Sequence, residues 1–336
     1  MAARAVITSV PGLSLSAEAR TFLRDSDPWG FILFKYNIDA PEQVCALVAQ
    51  CRDAVGRNAP VLIDQEGGRV QRIGPPHWPK YPPGAFYGAT YDRDRAAGLG
   101  AAKLGARLIA HDLFELGIDV DCLPIADVPV SEADPVIGDR AYGMRADKVA
   151  AIGAAVAEGL MEGGVLPVLK HIPGHGRATA DSHYKLPVVA TDRATLESSD
   201  FAAFRPLANL PLGMTAHVVF SAIDALAPAT TSGTMVREVI RQHLGFDGLL
   251  MSDDISMKAL SGTLAERSRA SIAAGCDVVL HCNGTLDEMR VVAGAVPPLS
   301  GDAARRADAA LKARRKPAAF DVAAAREQFA GIMASA

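Results

Sequence analysis

The chain has 336 residues, 49% of them hydrophobic and 21% charged, with a formal net charge of -4. That balance describes a globular protein long enough to bury a sizeable core, and it excludes a disordered chain. With no basic excess and no recognition motif, it gives no sign of nucleic acid or a membrane surface as partner.

The apolar run that opens the chain, Ala5–Thr8, ends at a turn before Pro11. It is too short for a signal-peptide core, and no later run approaches a membrane span, so it reads as a first strand. Seven further β-like runs follow: Gly30–Phe34, Val61–Ile63, Ile118–Cys122, Val165–Leu169, Gly213–Ala216, Gly248–Met251 and Asp277–Leu280. Between them, apolar residues three and four apart predict helices. One opens at Pro41 and buries Val44, Leu47, Val48 and Cys51. Others cover Asp94–Leu116, Ala146–Glu162, Arg193–Leu207, Ser232–His243 and Leu264–Ala274. The Pro-rich stretch Gly74–Gly84 reads as a rigid loop, and the Ala/Arg-rich tail beyond Pro298 as closing helices. Five cysteines, Cys45, Cys51, Cys122, Cys276 and Cys282, are scattered without zinc-site spacing. They read as free thiols of a reducing compartment, with the cytoplasm as the expected location.

Eight strands alternating with helices fit a single (β/α)8 TIM-type barrel, and a doubly wound sheet shows the same alternation. Polar residues at the strand ends favour the barrel. Asp64, Asp121, Lys170, His171, His217, Asp253, Asp254, His281 and Asn283 all fall there, and a barrel converges such residues on one face. No linker divides residues 1–336, so one barrel with helices from about 300 packed on it is expected.

Several stretches carry chemistry. Asp64-Gln65-Glu66-Gly67-Gly68-Arg69-Val70-Gln71-Arg72 offers partners for hydroxyls and a double glycine that lets backbone approach a ligand. Arg140, in the insertion Asp134–Gly143, reads as a site residue or a solvated charge. Lys170-His171-Ile172-Pro173-Gly174-His175-Gly176 continues to Asp181-Ser182-His183. His171, His175, Asp181 and His183 are also metal-ligand types, so a metal hydrolase is a rival reading. Against it, the first strand lacks the His-x-His of metal-dependent barrel amidohydrolases. His217 reads equally as structural or functional. Adjacent carboxylates in Ser252-Asp253-Asp254 are costly to bury unless paired or used; the alternative is that they cap the next helix.

Together, Asp64–Arg72, Lys170–Gly176 with Asp181-Ser182-His183, and Ser252-Asp253-Asp254 resemble the β-N-acetylglucosaminidase branch of glycoside hydrolase family 3. More narrowly, the chain is similar to the single-domain cytoplasmic enzymes that recycle bacterial cell-wall fragments. The resemblance runs from Gly30 to about Asn283. It implies a retaining exo-enzyme with no cofactor and no metal, acting on a small carbohydrate or 1,6-anhydro-muropeptide. Asp253 would be the nucleophile and His183, paired with Asp181, the acid/base. Asp64, Arg72, Arg140, Lys170 and His171 would hold the hydroxyls of N-acetylglucosamine, and His217 and Asp254 are further candidates. Ile172, where the family more often has Phe, and Arg177, in a variable stretch, depart locally. The loop carrying His183 is expected to close over substrate, with Gly174 and Gly176 near its hinge and His175 as a brace. A β-glucosidase or a glycosyl phosphorylase on the same scaffold is the alternative.

Overall fold

A computed structural model describes residues 2–335. Each predicted β-run overlaps a strand of one closed parallel barrel: β1 (Arg4–Ser9), β2 (Pro28–Leu33), β3 (Val61–Ile63), β4 (Val120–Asp121), β5 (Leu166–Ile172), β6 (Leu212–Thr215), β7 (Leu249–Asp254) and β8 (Val278–His281). These runs are mostly apolar because helices cover one face and the barrel interior the other. Ile7 opposite Leu280 and Thr8 opposite His281 close the ring between β1 and β8. The two strands that extend furthest beyond prediction are β5 and β7. They carry Lys170, His171 and both Asp253 and Asp254 on strand where the register shifts against the neighbouring strands. The fourth strand is the shortest, since Pro124 has no N–H to continue the ladder. Pairing resumes as the single bridge between Ile125 and Lys170.

The predicted helix at 94–116 runs from Arg95 to Glu115, with the Asp94 side chain accepting from Ala96 and Ala97 N–H. The segment expected as one helix over 193–207 instead ends at Ser198 and continues as two short 3-10 turns. Pro206 removes a donor there, and Ser199 leaves the helical region. Residues Met235–His243 wind with wider i→i+5 bonds. Three helices were not anticipated: Ala17–Ser26, Gly84–Arg93 and Leu286–Ala295. The closing helices Gly301–Lys312 and Val322–Ala334 pack back on the barrel, where Arg326 pairs with Asp112 and the Phe329 ring meets Tyr81. Among the described residues no helix is long and apolar enough to cross a membrane.

Gly84–Arg93 docks by a bare face. A Cβ at Gly84 would lie 2.0 Å from the Arg140 carbonyl oxygen, and one at Gly88 equally close to that of Tyr142.

Candidate active site

The C-terminal strand ends enclose a cavity of about 350 Å³, within the range of small-molecule sites. Asp64, Arg72, Arg140, Lys170, His171, Asp181, His183 and Asp253 all line it. On one side Lys170 Nζ lies 2.8 Å from Asp64 and 2.7 Å from Glu66. Arg140 grips Glu66 through two 2.8 Å hydrogen bonds, and Arg72 reaches Asp64 at 3.2 Å. Three cations thus face two carboxylates, and the packing of Gly84 against Arg140 backbone helps to fix one of them.

Burial acts to raise the pKa of both acids, but the neighbouring cations outweigh it. Lys170 and Arg72 hold Asp64 well below the ordinary carboxylate range, while Arg140 and Lys170 hold Glu66 at about 2. A carboxyl depressed in the folded state stabilises it fully above the unfolded pKa and loses that contribution as pH falls through the folded value. Glu66 alone therefore contributes on the order of 3 kcal/mol that disappears between about pH 4.5 and 2. Thermal melts are expected to show Tm dropping across this window, and a flat profile there would contradict the ion-pair cluster.

Opposite these charges, Asp253 accepts a 2.8 Å hydrogen bond from Asp254 N–H, while its own N–H reaches Thr215 Oγ1 at 3.3 Å. Burial works to raise its pKa, yet the His217 and His171 imidazoles and the Asp254 N–H overcome that and keep the carboxyl ionised. The loop after β5 supplies the third wall. His183 Nδ1 lies 2.7 Å from Asp181 Oδ1, which also accepts the His183 N–H at 2.9 Å. Burial raises and the His183 hydrogen bonds lower the Asp181 pKa, with a net depression. Nδ1 therefore carries the proton shared with Asp181, and Nε2 is left for the cavity. The His183 side chain keeps 59% of its exposure.

This loop has several anchors. Arg177, the variable position, makes an ion pair with buried Asp200. Ser182 and His183 carbonyls accept from Ala259 and Lys258 N–H. Gly174 adopts φ +147, but Gly176 has no positive φ; a Cβ there would meet the Val128 backbone at 2.3 Å. Ile172 is buried where its side chain and Phe246 both approach Gly213.

Five predicted placements lie away from the cavity. His217 does not line the cavity: its Nε2–H donates to the Asp254 carbonyl, and Nδ1 faces Thr230 Oγ1 at 2.7 Å. Burial behind β7 lowers its pKa. Asp254 is also outside, accepting from Ser256 and Cys282 N–H, and it caps a turn instead of a helix. The next helix begins only at Leu264 under Thr263. The Gly67-Gly68 pair approaches Pro82 and Pro83 of its own chain instead of a ligand. Among the strand-end residues, Asp121 and His281 are fully buried and do not line the cavity. Burial raises the first pKa and lowers the second.

Two residues escaped the sequence reading. Glu66 sits two residues from Asp64 in extended chain, which puts both on one face, and that spacing was an available signal. Asp127 interrupts the apolar run Leu123–Val130. It is fully buried, lies 2.7 Å from His171 Nδ1, and accepts the His175 N–H at 2.6 Å. A charge inside an apolar run is the signal for such a partner.

Residues 6–312 match the model of the glycosyl hydrolase family 3 N-terminal domain. A β-hexosaminidase from Alkalilimnicola ehrlichii is 41% identical over 286 residues, 83% of this chain and 80% of the relative. One from Bordetella parapertussis is 37% identical over 83% of this chain and 79% of its own length. Among solved structures, NagZ from Neisseria gonorrhoeae in complex with N-trifluoroacetyl-D-glucosamine superposes with a TM-score of 0.88. It is 29% identical, and the match covers 99% of this chain and 98% of that one.

Proposed function

The chain belongs to glycosyl hydrolase family 3 and is a β-N-acetylhexosaminidase, and from that premise we propose a retaining exo-β-N-acetylglucosaminidase that removes non-reducing-end N-acetylglucosamine from 1,6-anhydro-muropeptides. The observation that carries this reading is the pairing, across one cavity, of an ionised Asp253 with a hydrogen-bonded Asp181–His183 pair. Asp253 attacks the anomeric carbon while His183 gives its Nε2 proton to the leaving oxygen. The glycosyl-enzyme ester is then hydrolysed as His183 takes a proton from the attacking water. Retaining enzymes normally place two carboxyls about 5–5.5 Å apart, and here an imidazole takes the acid/base part. Asp181 holds the tautomer and stabilises the imidazolium as it forms. The charges around Asp64 and Glu66 hold the sugar hydroxyls, with Arg140, Lys170 and His171 nearest the cavity wall.

The muropeptide aglycone follows from the resemblance and from the likeness to NagZ. A reducing cytoplasm suits the five free thiols, four of them buried. The metal-hydrolase rival gains no ligand set, since among the described residues no three His, Cys, Asp or Glu are grouped to hold an ion. The test is a panel of nitrophenyl glycosides at neutral pH without added metal, with and without phosphate. We expect cleavage of the β-N-acetylglucosaminide with retained anomeric configuration and no phosphate requirement. Faster cleavage of the β-glucoside would overturn the acetamide assignment, and a sugar phosphate product would replace hydrolysis with phosphorolysis.

A further inference from the structure

We propose that Ser182 and His175 are positioning residues for the Asp181–His183 pair, and that Asp127 ties this support to the hydroxyl-holding His171. The proposal rests on the reading of His183 as acid/base.

The argument starts from exposure. His183 is mostly open to solvent, and among the described residues its ring is hydrogen-bonded only to Asp181. An acid/base must be held within hydrogen-bond reach of the leaving oxygen, and a misplacement of about 1 Å costs on the order of 100-fold. The aim of His183 must therefore come from whatever holds residues 181–183. Ser182, between the pair, is buried, and its Oγ lies 3.0 Å from His175 Nε2. His175 is buried as well, and its Nδ1 has no partner. Burial and the nearby His171 push its pKa down to about 4, so the ring is neutral. A buried bare lone pair is less costly than a buried unpaired N–H, which places the proton on Nε2 and makes it the donor to Ser182.

The other end of His175 is held by Asp127. One carboxylate oxygen accepts the His175 N–H, and the second faces His171 Nδ1. Burial raises the Asp127 pKa and His171 lowers it further than that, so the group is an ionised acceptor. His171 Nδ1 then donates to Asp127, leaving Nε2 for a sugar hydroxyl. Hydrogen bonds thus run from His171 through Asp127 and His175 to Ser182, which the backbone joins to the acid/base pair on either side. Its two branches can be cut separately.

The readout is leaving-group dependence, which a purely structural defect does not change. A methyl β-N-acetylglucosaminide needs protonation of its leaving oxygen, whereas a dinitrophenyl one scarcely does. Loss of His183 as acid, by His183→Ala, should lower kcat/KM selectively for the methyl glycoside, by about 100-fold or more relative to the dinitrophenyl one. Ser182→Ala should lower the same ratio about tenfold, and Ser182→Thr, which keeps the hydroxyl, should restore it. If the alanine variant does not fold, His175→Gln against His175→Leu carries the same comparison, because Gln keeps a donor. Asp127→Asn can still accept the His175 N–H, but its amide donates toward His171 and displaces the proton to Nε2. It should raise KM for both substrates while keeping the leaving-group ratio, and Asp127→Ala should lose both. Equal loss on both substrates in Ser182→Ala, no loss on either, or failure of Thr to restore the ratio overturns the proposal. If His183→Ala itself shows no leaving-group selectivity, the acid/base reading fails first and this one with it.

Discussion

Asp253→Asn is expected to lose on the order of 10⁴-fold or more in kcat, because removing a nucleophile that acts as part of a unit forfeits most of the chemical step. The substitution is conservative for the fold. An amide oxygen at 253 can still accept the Asp254 N–H, and the carbonyls and side chains that set β7 do not involve the lost charge. Burial, which opposes the ionised carboxylate in the native chain, is if anything relieved. Tm should therefore hold or rise slightly while turnover disappears, and KM for residual activity should stay near that of the parent. Denaturing mass spectrometry offers a second measurement. A slow fluorinated N-acetylglucosaminyl substrate should add one sugar mass to the parent protein and none to the variant. Activity within tenfold of the parent would remove Asp253 from the mechanism.

Lys170→Met should be the most destabilising change in the site. The side chain is only 2% exposed and stands between two carboxylates that are themselves nearly enclosed. Removing one member of a buried ionic set leaves uncompensated charge and costs about 3–5 kcal/mol. Arg140 still grips Glu66, so Asp64 carries most of the damage, with only the partly exposed Arg72 left beside it. Without Lys170 the two acids become easier to protonate. The gap in Tm between parent and variant should therefore narrow as pH falls from 7 toward the ordinary carboxylate range. A gap that stays constant or widens would mean that the lysine acts through packing alone. Sugar affinity should fall along with stability, measurable as quenching or calorimetric titration with N-acetylglucosamine.

The barrel was legible because most strands are short apolar runs, several with a polar residue at or just past the end, and burial on both faces leaves no alternation to obscure them. The helix at Ala17–Ser26 was not legible. Only Ala19, Phe22 and Leu23 are its buried apolar residues, and its start depends on Ser16 capping Ala19 N–H. Over 193–207 the opposite error arose, since apolar spacing of three and four persists through turns that Pro206 prevents from joining into a helix. In the site, Asp64, Lys170 and Asp253 were readable from their place at strand ends. Asp254 shares that place, but neighbours in a strand point to opposite faces, so only one of the adjacent carboxylates can look into the cavity. Asp127 and Glu66 answer to partners 44 and 74 residues away, and local pattern holds no record of such distances.

The bare helix face at Gly84 and Gly88 sets limits on how this site can vary. The Arg140 guanidinium is aimed at Glu66 from a segment whose carbonyls lie directly on that helix. Ala85, on the exposed side of the same helix, is not under that limit, but positions 84 and 88 admit only hydrogen. Even one methyl group would lift the segment, and the arginine with it, away from its acid. On the proposed reading, sugar recognition depends on two residues that line no part of the cavity and belong to none of the motifs by which the site is recognised.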